Sequence, residues 1–291
     1  MLEEKIRIGI IGANATYGWS MRAHLPALQA LPEYELAAVC TSSPETAAES
    51  AKAYGATLAF HDYREMVTHS DIDLVSVSVR VPLHHEMVMA AVEAGKHVFC
   101  EWPLGANLDE AQDMSSLARA KGVTNMVGLQ ARGAPAILHL KDLISQGYVG
   151  EVLACNMTMF LPGVLQRGLS MPWMADREKG GNTLTIGTGH AIDALCFCVG
   201  EFKEISARVT TQVTEWETSD PGKTVHVNAA DNVLVNGTLV GGAVASPSRC
   251  NRTLAWQWLE NGSVRTGWHF DCFVTRNDPI WANHYSWGSK R

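Results

Sequence analysis

In Val98-Phe99-Cys100-Glu101-Trp102-Pro103 a carboxylate, an indole and a proline directly follow a short apolar run. Such a run, ended by residues that cannot continue a ladder, reads as a buried strand that delivers side chains to its end. In an open α/β sheet ligands lie beyond the carboxyl ends of the strands, so Glu101, Trp102 and Pro103 would face a bound cofactor. A second group of reactive types is His190 and Asp193, three residues apart on one face of a helix expected over 190–199. Imidazole titrates near neutrality and can act as a general acid or base; a hydrogen-bonded structural histidine fits the same pattern equally well.

Two further stretches fit a nucleotide. The turn Gly12-Ala13-Asn14-Ala15-Thr16-Tyr17-Gly18 follows the strand pattern Ile6 to Ile11 and precedes a helix expected from Trp19 to Leu31. Glycines there permit close approach of a pyrophosphate, and helix-start N–H groups favour its charge. Asn14 and Tyr17 stand where the second and third glycines of G-x-G-x-x-G would be, so an ordinary strand-to-helix turn also accounts for the segment. The second expected strand, Glu35 to Cys40, ends in Thr41-Ser42-Ser43 rather than in an acid. That favours a ribose 2′-phosphate, hence NADP, over the free hydroxyl of NAD, although no arginine accompanies the hydroxyls. In Val81-Pro82-Leu83-His84-His85 the histidines fit a solvated helix start as well as a cofactor contact.

The elements that must position these groups alternate. Strands expected at Ile6–Ile11, Glu35–Cys40, Thr57–Phe60, Leu74–Val79, Val98–Cys100 and Val123–Leu129 take turns with helices, among them Asn107 to Lys121 with Asn107 as N-cap and Gly122 as stop. This predicts an α/β, Rossmann doubly wound parallel sheet over residues 1–128. Beyond a helix near Ala134 to Gln146 the period changes. Val152–Phe160, Glu204–Val213, Thr224–Val235 and Thr238–Ala245 are long and rich in Val and Thr, predicting an α+β domain with an open antiparallel sheet over 129–247. From 248 to 291, Trp256, Trp258, Trp268, Trp281 and Trp287 show no clear period, and this tail is expected to be truncated or altered and not to complete the sheet. An uncovered apolar sheet face would then seek a partner copy or aggregate.

Composition narrows the function classes. The 291 residues carry 23 basic and 30 acidic side chains, net charge −7, which offers no footprint for nucleic acid. No apolar run reaches the roughly 20 residues of a membrane-spanning helix, and the acidic start does not read as a signal peptide, so a cytoplasmic protein is expected. Seven scattered cysteines suit reduced, buried thiols better than disulfides or a metal site.

Gly9-Ile10-Ile11-Gly12, Val81-Pro82-Leu83-His84, Glu101-Trp102-Pro103 and Gly189-His190-Ala191-Ile192-Asp193 together resemble the Gfo/Idh/MocA family of NAD(P)-dependent sugar and polyol oxidoreductases. Trp19, Ser78-Val79-Arg80-Val81-Pro82, Leu129-Gln130-Ala131-Arg132 and Leu143-Ile144-Ser145-Gln146-Gly147 are most similar to the branch containing the fungal galactose-pathway repressor. The resemblance implies Gly12, Asn14 and Trp19 at the pyrophosphate, Thr41 and Ser42 near the adenosine ribose, and Pro82, His84, Glu101 and Trp102 toward the nicotinamide. It further implies His190 as the catalytic acid/base and Arg132 and Asp193 toward substrate. Family enzymes carry Glu-Lys-Pro where Trp102 stands here, and an Asp where Ile186 stands. The expectation is an oxidoreductase acting on a CH–OH or carbonyl group of a sugar-like small molecule. The alternative is a catalytically silent NAD(P) sensor with a regulatory protein partner, nuclear if it regulates transcription.

Overall fold

The computed structural model describes residues 5–160, 171–250, 259–260, 263–264 and 267–275, in two compact units that part between Gly128 and Leu129.

The first unit contains β1 (Ile6–Ile11), α1 (Trp19–Arg22), α2 (His24–Ala30), β2 (Tyr34–Cys40), α3 (Pro44–Tyr54), β3 (Leu58–Phe60) and α4 (Tyr63–Thr68). It continues with β4 (Leu74–Val77), α5 (His84–Glu93), β5 (His97–Glu101), α6 (Leu108–Lys121) and β6 (Asn125–Gly128). Its six strands are parallel in the order β3-β2-β1-β4-β5-β6. The order reverses direction between β1 and β4, the topological switch point at which such sheets bind ligands. Ile10, Val39, Val75 and Val77 are fully buried in the sheet, as expected for strands covered on both faces. The caps read for α6 are present: Asn107 accepts the Glu110 N–H at 2.9 Å, and Gly122 closes the helix in the left-handed region.

One expected helix is two. Pro26 lacks the N–H that would bond the Arg22 carbonyl, and its ring crowds that carbonyl, so the run from Trp19 breaks at Ala23 and α2 restarts at His24.

Arg7 ties together the amino-terminal ends of β1 and β4. Its guanidinium donates to both Asp73 oxygens, at 3.0 and 2.8 Å, and its backbone N–H adds a third bond at 2.8 Å. The Arg7 side-chain bonds hold the Asp73 carboxyl below its ordinary range. A depressed folded-state pKa contributes stability above the unfolded value, near pH 4, and that contribution disappears as pH falls through the folded value. Arg7→Met is expected to flatten the acid limb of stability below about pH 4, measured by urea denaturation at stepped pH. An acid limb identical to the parent's would contradict this.

The second unit begins with a 3₁₀ turn, Gln130–Gly133, followed by α7 (Pro135–Ser145), β7 (Glu151–Phe160), a π-helical segment Thr183–Thr188 and α8 (Gly189–Val199). Then come β8 (Phe202–Thr210), β9 (Glu215–Glu217), β10 (Thr224–His226), β11 (Asn232–Leu239) and β12 (Val244–Cys250). β13 (Leu259–Glu260) and β14 (Ser263–Val264) pair as a hairpin, and β15 (Gly267–Thr275) is the last described strand. The large sheet runs β15-β7-β12-β11-β8. It is mixed rather than wholly antiparallel, because β12 lies parallel to β7. Leu140 of α7, Ala191, Ala194 and Leu195 of α8, and Cys155, Met157 and Met159 of β7 form its core.

Three expectations change. The run Thr224–Val235 is two strands in different sheets, divided where the buried Asp231 carboxylate takes the backbone N–H groups of Gln212 and Val213 at 2.8–2.9 Å. β15 pairs antiparallel with β7, so the tail does add a strand to the sheet; Trp256, Trp258, Trp281 and Trp287 lie outside the described residues. The sheet surface expected to be apolar is mixed: Asn156, Thr158, Ser206, Asn236, Thr238 and Ser246 line one face among the described residues, while Leu153, Ile205, Val209, Leu234 and Val244 are exposed apolar side chains of the same sheet.

Candidate functional site

At the switch point β1 ends in a turn with two special glycines. Gly12 has φ +90°, and a Cβ built on it would lie 2.2 Å from the Ser78 carbonyl oxygen and 2.8 Å from a Val79 methyl. Only a residue without a side chain lets the ends of β1 and β4 approach so closely. Gly18, at φ +103°, immediately precedes α1. The turn is pinned by Gly12 N–H to the Cys40 carbonyl (2.9 Å) and by Ser20 Oγ–H to the Gly12 carbonyl (2.7 Å). Asn14 folds its own turn, its Oδ1 accepting from the Thr16 N–H and hydroxyl, both at 2.9 Å. Trp19 and Tyr17 stay largely exposed beside it. Beneath the turn the Ser78 hydroxyl is buried with no protein partner. A tight backbone cradle together with an unsatisfied buried hydroxyl fits a ligand with polar oxygens, as a dinucleotide has.

On the adenosine side, Thr41 is nearly buried and its hydroxyl is used locally, against the Ser43 carbonyl (3.2 Å) and the Thr46 hydroxyl (2.7 Å), while Ser43 caps α3. Ser42 alone of the three presents an exposed side chain. Burial, with Asp62 and Glu65 nearby, pushes the Cys40 thiol up to about 12, and burial raises Cys100 still further, so both behave as packing groups.

The β4–α5 loop is tied to the end of β5. His84 is 1% exposed, its Nδ1 2.8 Å from the Pro103 carbonyl and its Nε2 3.1 Å from the Val79 carbonyl. It is not a solvated imidazole; it is buried between two backbone carbonyls, which makes it a brace for the segment carrying Pro82. His85 points elsewhere, 3.6 Å from Asp113 of α6. Glu101 is the last residue of β5, Trp102 and Pro103 follow it, and the Trp102–Pro103 peptide is cis.

Two residues absent from the sequence reading belong here. His24 Nε2 lies 2.6 Å from Glu101 Oε1, and His24 Nδ1 lies 3.1 Å from the Ser76 hydroxyl. Their signals were a polar residue inside the apolar run Leu74-Val75-Ser76-Val77, which needs a partner when buried, and a histidine set at a helix start by Pro26.

In the second unit the residues expected to meet substrate meet each other. Arg132 Nε reaches both Asp193 oxygens at 3.0 and 3.1 Å, and its terminal nitrogen reaches Oδ1 at 2.6 Å. The bidentate pair joins the Gln130–Gly133 turn to α8, and the bond from Asp193 holds the Arg132 guanidinium above its ordinary pKa. Lys141 lies 3.6 Å over the Phe197 ring, bracing α7 on α8. His190 sits half-buried in the first turn of α8, after the π-helical segment. Ile186, in that segment, packs against the apolar cluster of Met174, Ala175, Trp216, Val227 and Ala229. Among the described residues no cluster of His, Cys, Asp or Glu is placed to hold a metal, and no helix is long and apolar enough to cross a membrane.

A switch-point cradle on a 3-2-1-4-5-6 parallel sheet defines a dinucleotide-binding class of fold. Residues 6–129 match the oxidoreductase family with NAD-binding Rossmann fold, and residues 135–251 match the Gal80p C-terminal domain. The chain belongs to the Gfo/Idh/MocA family, in the branch that contains Gal80p. The dehydrogenase aclE of Aspergillus oryzae is 36% identical over 215 residues, 72% of this chain and 59% of the relative. Levoglucosan dehydrogenase of Pseudarthrobacter phenanthrenivorans is 28% identical over 73% of this chain and 56% of its own length. The chain thus spans less than two thirds of these relatives. A crystal structure of a super-repressor mutant of Gal80p from Saccharomyces cerevisiae superposes with TM-score 0.80 and 27% identity, covering 94% of this chain and 72% of that one.

Proposed function

We propose that the protein is an NAD(P)-dependent oxidoreductase acting on a CH–OH or carbonyl group of a sugar-like or other polyhydroxylated small molecule, with His190 as its acid/base. The observation that carries the reading is the cradle formed by Gly12, Ser78 and the Glu101-Trp102-Pro103 strand end. Gly12, Asn14 and Trp19 would hold the pyrophosphate, Thr41 and Ser42 would border the adenosine ribose, and Pro82, Glu101 and Trp102 would border the nicotinamide, with His84 bracing them. When bound, the nicotinamide supplies hydride exchange; the chain supplies orientation, exclusion of water and one proton acceptor. Arg132 holds Asp193, and with it the helix that bears His190. The exposed Ser42 hydroxyl, with no acid at the end of β2, favours NADP over NAD.

Calorimetric titration with NAD, NADH, NADP and NADPH tests the cofactor, and a screen of polyols, sugars and their keto forms at the nicotinamide absorbance band tests the chemistry. His190→Ala is expected to lower turnover about 10²–10⁴-fold with dinucleotide affinity unchanged. Unchanged turnover would remove His190 from the role, and failure of all four nucleotides to bind the folded protein would remove the whole reading.

A second reading has its own support. Trp102 and Ile186 cannot transfer a proton, and Ile186 is committed to an apolar cluster, which suits a catalytically silent NAD(P) sensor that presents its surface to a protein partner. Trp102→Lys discriminates. Turnover appearing from a measured zero, in a protein whose parent binds nucleotide tightly, favours the sensor. Ile186→Asp is a poor companion change, because a carboxylate against that cluster is expected to lower stability by about 1–3 kcal/mol.

A further inference from the structure

We infer that His24 is a positioning residue that sets the cofactor affinity of this fold by fixing the Glu101 carboxylate; the inference rests on the dinucleotide reading above. Three elements that converge on the switch point contribute one side chain each: His24 from α2, Ser76 from β4 and Glu101 from β5. His24 and Glu101 are 12% and 15% exposed at the side chain, Ser76 is buried, and the Phe99 ring packs T-shaped against the imidazole at 5.3 Å between centroids.

The hydrogen bonds can be satisfied in either charge state of the ring. With a neutral imidazole, Nε2–H donates to Glu101 and the Ser76 hydroxyl donates to Nδ1. With both nitrogens protonated, the Ser76 hydroxyl turns and accepts from Nδ1–H. In both arrangements Nε2–H points at Glu101 Oε1, so the carboxylate keeps one orientation.

The other side of the carboxylate is fixed by absence. A Cβ on Gly128 would lie 2.9 Å from Glu101 Oε2 and 3.1 Å from its Cδ and Oε1. Glu101 is therefore held between an imidazole donor and the bare backbone of β6. Trp102 follows it directly, so displacing the carboxylate displaces the strand end that would border the nicotinamide. Because α2 is joined to the Gly12–Gly18 turn through the single-turn α1, the same imidazole links the pyrophosphate side of the site to the nicotinamide side.

Acting through Glu101 has a signature that a general packing role lacks, which a double-mutant cycle in the full chain reads out. NADP and NADPH affinities are measured for the parent, His24→Leu, His24→Gln, Glu101→Gln and the His24→Leu/Glu101→Gln double variant, with melting temperatures alongside. His24→Leu is expected to weaken binding about tenfold, and His24→Gln, which keeps one N–H donor, to recover most of that loss. In the Glu101→Gln background His24→Leu is expected to cost less than about twofold. Equal losses in both backgrounds, or no loss in the first, would overturn the inference while leaving the cofactor site intact. A parent that binds none of the nucleotides fails the dinucleotide reading instead. Should His24→Leu not fold, His24→Asn, whose shorter side chain cannot reach the position of Nε2, takes its place in the cycle.

Discussion

Gly12→Ala is expected to abolish measurable dinucleotide binding and to destabilise the first unit by about 2–6 kcal/mol, the sum of two separate costs. An alanine held at φ +90° carries backbone strain of roughly 1–3 kcal/mol. Its Cβ would also sit 2.2 Å from the Ser78 carbonyl oxygen, which is backbone in β4's extension and cannot swing aside as a flexible side chain can. Overpacking of that kind adds about 1–3 kcal/mol, or forces β1 and β4 apart. Separating them opens the place where the cradle closes, so affinity falls with stability. Gly18→Ala is the internal control. Gly18 has φ +103°, but the nearest atom to its added Cβ is the Gly12 carbonyl at 4.0 Å, so strain acts alone and a loss of about 1 kcal/mol is expected. Urea denaturation and nucleotide titration of both variants measure the difference. A Gly12→Ala protein that binds NADP within threefold of the parent, with an unchanged midpoint, would show that this turn is not the cradle.

The first unit was legible because its signals are local and mutually consistent. Apolar runs such as Ile8 to Ile11 and Val98 to Cys100 are bounded by turn residues, and Asn107 and Gly122 cap α6 through bonds spanning three or four residues. What escaped the sequence depends on distant partners. Ser76 and His24 are 52 residues apart, and His24 and Glu101 are 77 apart, so no spacing joins them; only the requirement that a buried hydroxyl be satisfied hints at the network. Arg132 and Asp193 were each expected toward substrate, and the 61 residues between them hid that they also bond each other. The division of Thr224–Val235 depends on the Asp231 carboxylate bonding residues 18 and 19 positions earlier. β15 was missed for another reason. Trp268, Phe270, Cys272 and Val274 alternate with more polar neighbours over most of the run, but the tryptophans elsewhere in the tail obscured that period. Pro26 is a local signal against a single helix from Trp19 to Leu31, since its missing N–H breaks a helix wherever the carbonyl four residues earlier needs a donor.

Leu195→Ala is expected to cost about 2–5 kcal/mol in the second unit while leaving dinucleotide affinity unchanged. Leu195 is fully buried on α8, in the core that Leu140, Met157, Met159 and Ala245 share, and truncation leaves a cavity between helix and sheet. His190 and Asp193 ride on the same helix, and Asp193 is fixed by Arg132 from the turn before α7. Loosening α8 therefore tilts the proposed acid/base without touching Gly12, Ser78 or Glu101, all of which belong to the first unit. If His190 carries proton transfer, kcat falls in Leu195→Ala while the Kd for NADP holds. If the protein is a sensor, the variant loses stability and partner binding with no turnover to lose. Calorimetric titration beside a thermal scan separates the two units, because a bound dinucleotide raises the melting of the unit that holds it. A Leu195→Ala protein whose NADP affinity drops along with its stability would show that the second unit also contributes to the cofactor site.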